Sequence, residues 1–188
     1  MEHAAPEGSG AMSAVLGMDA EVIEDVLNGR EGVSIANYNC PGQIVITGEA
    51  AAVAEAGTTL KEAGARRVLP LKVSGPFHSP MMRPAGEELA KVFARVSMNP
   101  LKIPYVANIN AEVITDCGRI EGLLVEQVSG SVRWQQSVET MIREWVDTFV
   151  EIGPGKTLTG FLRKIDKNVK AYHIGSWEEA VQVCEELK

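Results

Sequence analysis

Val33-Ser34-Ile35-Ala36-Asn37-Tyr38-Asn39-Cys40-Pro41-Gly42-Gln43-Ile44-Val45-Ile46-Thr47-Gly48 is the stretch that decides the fold. Residues 33–39 and 43–48 both have strand character, and Pro41 and Gly42 fill the two central positions that a type II turn prefers. The two runs therefore form an antiparallel hairpin. Upstream, residues 12–17 form a short apolar strand. Asp19 then caps a helix with Val22, Ile23, Val26 and Leu27 inward, closed by Asn28-Gly29. Downstream, residues 50–63 are Ala-rich and helical, with Val53, Leu60 and Ala63 inward and Gly64 as the stop. Residues 67–74 alternate again, with Leu69, Leu71 and Val73 on one face. The order β-α-β-β-α-β over residues 10–74 is the split pattern of a ferredoxin-like sheet. Its fourth strand belongs at an edge, where Pro70 removes no ladder hydrogen bond.

Beyond residue 74 the rhythm changes to helices alternating with short strands. Ala85, Leu89, Val92 and Val96 mark one helix, residues 120–128 a second, and Trp134, Val138, Met141 and Trp145 a third. Leu158, Phe161, Leu162 and Ile165 stripe a fourth, and Ser176-Trp177-Glu178-Glu179 is a capping box that opens the last. Strands are expected at 103–108, 148–152 and 169–174, with residues 112–115 pairing with the first in a small hairpin. This pattern points to a parallel α/β layer. The chain is therefore an α/β protein: a ferredoxin-like α+β subdomain at 10–74, joined to an α/β part at 75–188, with 1–9 as a lead-in. Three strands leave much apolar face uncovered.

Several function classes are disfavoured by bulk composition. The 188 residues are 45% hydrophobic and 23% charged, as in an ordinary globular protein. A formal charge of −7 argues against wholesale binding to nucleic acid or to anionic membrane. Cys40, Cys117 and Cys184 are odd in number and far apart, which fits reduced thiols in the cytoplasm. No CxxC, HExxH or long apolar run is present, so neither a metal site nor a membrane span is expected; no cofactor is expected either.

One loop stands out for chemistry. In Val73-Ser74-Gly75-Pro76-Phe77-His78-Ser79-Pro80-Met81-Met82 a histidine sits between a strand-type and a helix-type run. Loops held at element ends are where catalytic side chains gather, although a lone turn histidine is more often a plain surface residue. No serine has glycine two residues before and after it, so the chain holds no nucleophile elbow. Ser79, next to His78 in sequence, has poor geometry for a nucleophile–base pair. Gly153-Pro154-Gly155-Lys156-Thr157 resembles a phosphate loop, but Val150 stands where that motif needs glycine. A tight strand-to-helix turn is the simpler reading. Arg163, Lys164, Lys167 and Lys170 form a basic cluster, either a solvated helix face or a dock for an acidic partner.

Four segments, in order, resemble the malonyl-CoA:acyl carrier protein transacylase family of acyltransferase domains. They are Pro6-Glu7-Gly8-Ser9-Gly10-Ala11-Met12, the stretch Asn37 to Gly48 quoted above, Gly75-Pro76-Phe77-His78-Ser79, and Glu151-Ile152-Gly153-Pro154-Gly155-Lys156-Thr157-Leu158. The resemblance implies an α/β-hydrolase-like large domain with an inserted ferredoxin-like subdomain. It implies a serine acyl-enzyme that carries malonyl from coenzyme A to the phosphopantetheine thiol of acyl carrier protein, with His78 as general base. The carbonyl orienting that base falls on Gln127, although Ser129-Gly130-Ser131-Val132-Arg133-Trp134 departs from the family's Asn-Pro-Val-x-Trp. Phe77 falls on the malonyl-selecting position. Asn39 is either a polar wall residue of the cleft or a turn asparagine that supports the hairpin.

The family's glutamine-rich loop, its G-H-S-x-G elbow and its malonate-binding arginine have no counterpart in these residues, and Met1 aligns within a helix. The resemblance thus implies the C-terminal portion of such an enzyme, with the base but not the nucleophile, and inactive alone. Two other readings stay open: a non-catalytic module that binds the carrier protein, or a fragment that self-associates through its exposed sheet.

Overall fold

A computed structural model describes residues 4–6 and 8–188. Met1 and Glu7, on which the helix alignment and part of the first family segment fall, lie outside the described residues. Strand β1 (Gly10–Leu16), helix α1 (Ala20–Leu27), strands β2 (Val33–Cys40) and β3 (Gln43–Glu49), helix α2 (Ala50–Glu62) and strand β4 (Arg67–Pro70) follow in turn. The strands form one antiparallel sheet in the order β2-β3-β1-β4. Gly42 takes φ +70° in the Pro41-Gly42 turn, as the hairpin reading requires.

Alternation along the strands separates two faces. Val15, Ile35, Ile44 and Ile46 meet Ile23 and Leu27 of α1 and Val53, Ala56 and Leu60 of α2 in the main core. Each large side chain fully buried there stabilises the fold by about 1.5–3 kcal/mol. The other face presents Met12, Ala14, Ala36 and Val45, all buried, with Phe77 packed against them. β4 stops at Pro70, four residues short of the expected end, with one further hydrogen bond from Leu71 N–H to Met12 O (2.9 Å). Leu69 pairs with Ala14, so it points to this second face, at its edge; Leu69, Leu71 and Val73 are exposed. β4 is an edge strand, as Pro70 required.

Helix α3 (Arg83–Phe93), strands β5 (Tyr105–Val106) and β6 (Val113–Ile114), helices α4 (Ile120–Ser129) and α5 (Trp134–Arg143), strand β7 (Thr148–Ile152), helix α6 (Thr157–Ile165), strand β8 (Lys170–Ile174) and helix α7 (Trp177–Glu186) complete the chain. β7 and β8 are parallel, from Thr148–Lys170 to Ile152–Ile174. The first strand expected in that layer is not there. It shrinks to β5, which pairs with β6 in the small hairpin. Pro104 has no N–H to give a ladder, and Ile103 before it is 78% exposed.

Trp145 also leaves its expected stripe. α5 closes with Trp145 N–H on Ile142 O and Val146 N–H on Met141 O, both 3.0 Å. That pair of bonds is a Schellman closure, with Trp145 in the left-handed position at φ +67° and 93% exposed. Val92 is exposed on α3, and Val96 lies beyond the helix end. At α7 the Ser176 hydroxyl accepts the Glu179 N–H (3.2 Å), but the Glu179 carboxylate turns to Gly175 N–H (2.6 Å) instead of closing the box. No described helix is long and apolar enough to cross a membrane.

Candidate functional site

The loop after β4 is bolted to the sheet. Pro76 is fully buried against Gly10, where any side chain would collide with the proline ring. Phe77 N–H bonds Gly75 O (3.0 Å), and its ring packs onto Met12, Ala14, Ala36 and Val45. Ser79 is buried, donates its hydroxyl to Pro76 O (2.7 Å) and accepts Met82 N–H at 2.9 Å. With its proton committed inward, Ser79 is no nucleophile for its neighbour.

Between these anchors His78 adopts φ +59°. A non-glycine residue held in the left-handed region costs about 1–3 kcal/mol, so the surrounding bonds must over-determine it. The turn aims the half-buried ring at the C-terminal end of α4, where Nδ1 lies 3.0 Å from Gln127 O. This carbonyl is free because α4 ends two residues later, and the last carbonyls of a helix lack helical partners. A carbonyl only accepts, so the proton sits on Nδ1 and the Nε2 lone pair is left available. Among the described residues Nε2 has no hydrogen-bond partner.

The Gln127 carboxamide folds back on its own turn. Its Nε2 donates to Gly130 O (3.0 Å) and, more weakly, to Ser131 O (3.4 Å). Residues 131–132 dock on the edge of β2 at its irregularity between Ile35 and Asn37. The Ser131 hydroxyl donates to Ile35 O (2.6 Å), Val132 N–H to Ala36 O (2.7 Å) and Tyr38 N–H to Val132 O (2.9 Å). Arg133 stacks over the Tyr38 ring at 5.5 Å, and the Tyr38 hydroxyl donates to Glu24 (2.6 Å). Burial, then the bond to Glu24 and that residue's charge, push the Tyr38 phenol well up, against the opposing pull of Arg133.

Of the four residues singled out, the fold brings His78 and Gln127 into direct contact. Phe77 anchors the loop from the sheet side. Asn39 is half-buried at the second irregularity of β2, between Tyr38 and Cys40, with no side-chain hydrogen bond among the described residues. Ser131 escaped the sequence reading, since a serine in a post-helix turn carries no distinctive signal.

At the second candidate motif, the turn after β7 is a tight strand-to-helix connection with Gly153 at φ +138° and Gly155 at +84°. The N-terminus of α6 is already taken. Glu151 accepts Leu158 N–H (3.1 Å), Thr159 N–H (2.7 Å) and the Thr159 hydroxyl (2.6 Å). Partial burial alone would raise its carboxyl, but the Thr159 and Leu158 bonds outweigh that and hold it below the usual range. Arg163, Lys164, Lys167 and Lys170 are all exposed, and Lys164 reaches Gln43 across to β3 at 3.2 Å. Among the described residues no three His, Cys, Asp or Glu side chains gather to hold a metal.

The arrangement is a left-handed histidine whose Nδ1 is held by a helix-end carbonyl and whose Nε2 is free to exchange a proton. Residues 1–183 match the acyl transferase domain, and the chain belongs to that family. The relatives narrow the class. Malonyl CoA-acyl carrier protein transacylase of Bacillus subtilis (strain 168) is 43% identical over 192 residues, covering 100% of this chain and 61% of its own. The Escherichia coli (strain K12) protein of the same name is 42% identical over 169 residues, 88% of this chain and 54% of its own. Among solved structures, malonyl CoA-acyl carrier protein transacylase from Clostridium perfringens ATCC 13124 superposes with a TM-score of 0.94 at 39% identity, over 100% of this chain and 60% of its own. A malonyl-transacylase in complex with a type II polyketide acyl-carrier protein gives 0.92 at 37%, over 98% and 61%. The family resemblance read from the four segments is thus borne out. The chain spans about three fifths of the length of most of these relatives.

Proposed function

We propose that this chain supplies the general base of a malonyl transfer from coenzyme A to the thiol of acyl carrier protein, in cytoplasmic fatty acid synthesis. The observation that carries the reading is the 3.0 Å contact from His78 Nδ1 to Gln127 O, which fixes one tautomer and leaves Nε2 to act. In the first step a serine hydroxyl outside residues 1–188 attacks the malonyl thioester. His78 Nε2 takes its proton and returns it to the departing coenzyme A thiol. In the second step Nε2 takes the proton of the carrier thiol as that sulfur attacks the malonyl ester, then gives it back to the serine oxygen. Gln127 O accepts from Nδ1 throughout. No cofactor enters this scheme; malonyl-CoA is a substrate. Phe77 and Asn39 are assigned to the wall of the acyl site.

The order β2-β3-β1-β4 supports reading residues 10–74 as a ferredoxin-like subdomain. The parallel β7–β8 pair with α6 and α7 supports reading 75–188 as part of an α/β-hydrolase-like layer. The exposed Arg163, Lys164, Lys167 and Lys170 support docking of the acidic carrier protein at that end.

Fusing the preceding segment of the Bacillus subtilis relative to this chain, and following malonyl transfer to carrier protein, tests the proposal. The fusion is expected to transfer malonyl and the 188-residue chain alone to be inactive. A well-folded fusion without transfer, or transfer by the chain alone, contradicts it. Salt-sensitive carrier binding with no transfer by the fusion would favour the non-catalytic module.

A further inference from the structure

The base is held by a carbonyl, and something must hold the carbonyl. α4 is in its last turn at Gln127, and its final backbone bond, Gly130 N–H to Glu126 O, leaves the Gln127 peptide free to tilt. Two side chains remove that freedom. The Gln127 carboxamide closes onto Gly130 O and Ser131 O, while the Ser131 hydroxyl ties the same turn to Ile35 O in β2. The carboxamide makes these bonds although its Oε1 is buried without a partner, an arrangement that costs stability. Its Nε2 stands 3.5 Å from His78 Nδ1. Both are N–H donors, so this contact is no bond; it closes the ring's approach from that side and leaves the carbonyl as the acceptor.

We propose that the Gln127 carboxamide and the Ser131 hydroxyl are positioning residues that fix the tautomer and orientation of His78 by clamping the turn after α4 to β2. The proposal deepens the assignment of His78 as the base and rests on it. The path runs from β2 through Ile35 O, Ser131, the Gln127 carboxamide and the Gln127 carbonyl to the ring. Orientation of the four-stranded unit and readiness of the base are thereby coupled through one turn.

The test needs no activity. In the 188-residue chain carrying ¹⁵N-labelled histidine, the ring nitrogens of His78 report the tautomer directly, assigned by the signals lost in His78→Ala. Wild type is expected to show one tautomer, protonated at Nδ1. Gln127→Met keeps the main-chain carbonyl and the side-chain bulk but deletes the donors; Ser131→Ala deletes the hydroxyl. Each is expected to bring in the Nε2-protonated tautomer as a readily detected fraction, with amide signals outside residues 126–133 unchanged. Ser131→Thr restores the wild-type pattern. Because both act on one path, the double variant does no more than the larger single one. A wild-type ring of mixed tautomers, or an unchanged tautomer in both single variants, overturns the proposal. In the fusion enzyme the same variants lower kcat with little change in KM. If the tautomer shifts there and kcat does not, the clamp stands and the assignment of His78 as base fails.

Discussion

His78 and Gln127 are 49 residues apart in sequence and meet through a ring nitrogen and a main-chain oxygen at 3.0 Å. The contact depends on two local irregularities: a left-handed residue in the loop after β4 and a helix that stops at Ser129. Neither is a stability device, which gives the first prediction.

At φ +59° a glycine is at ease and a side chain is not. His78→Gly is therefore expected to be more stable than His78→Ala by about 1 kcal/mol, although glycine elsewhere usually destabilises. His78→Val should be the least stable of the three, since a β-branched residue fits that region worst. Urea unfolding midpoints rank them; alanine above glycine would contradict the backbone account.

The carboxylate of Glu151 substitutes for a cap at the start of α6. Glu151→Ala should cost about 0.5–2 kcal/mol, as the loss of a helix cap does. The folded carboxyl lies below its ordinary range, so the unfolded chain binds the proton more readily. The stabilisation is fully present above the ordinary glutamate value of about 4.3 and is lost as pH falls through the depressed folded value. Unfolding followed down the pH scale should show wild type losing an increment that Glu151→Gln never had. Parallel curves for the two would exclude the cap.

Burial is unevenly shared. The large cluster built on Val15, Ile23, Ile44, Ile46 and Leu60 belongs to residues 10–70, whereas the buried hydrophobics of the remainder are Met82, Ala107, Ile114, Val138, Leu162 and Val183, spread over a longer stretch of chain. Amide exchange should accordingly be slower in β1, β2 and β3 than in β7 and β8. Uniform protection would show that the second layer shares the stability of the first.

Ile103, Ile152 and Trp177 are each close to four fifths exposed, and β7 has an unpaired edge among the described residues. Such surfaces favour self-association. Light scattering should show mass rising with concentration, and Ile152→Lys should reduce the rise. A clean monomer at high concentration would remove this expectation.

The hairpin and the βαββαβ order were legible because each strand alternates and each turn carries its own chemistry, with Pro41-Gly42 the clearest instance. The second layer was less so. A strand is specified partly by its neighbours, and nothing local to 103–108 says that Tyr105 pairs with Ile114 and not with a parallel strand. Trp145 misled because helical spacing continues past the point where a Schellman closure ends the helix. At the site, His78 could be found from its loop. The Gln127 carbonyl could not, since a main-chain oxygen leaves no mark on residue identity; only the family resemblance reached it. Glu151 had a faint signal, an acid shortly before a Gly-Pro-Gly turn into a helix. Ser131 had none.

The most direct measurement is the rate of malonyl-enzyme formation in the fusion with the Bacillus subtilis segment, followed by intact mass, for His78 and for His78→Ala. A base that takes the proton from the attacking hydroxyl predicts a fall of about 10²–10⁴-fold on removal of the ring, with the fold intact. Acylation at the wild-type rate in His78→Ala would contradict the account.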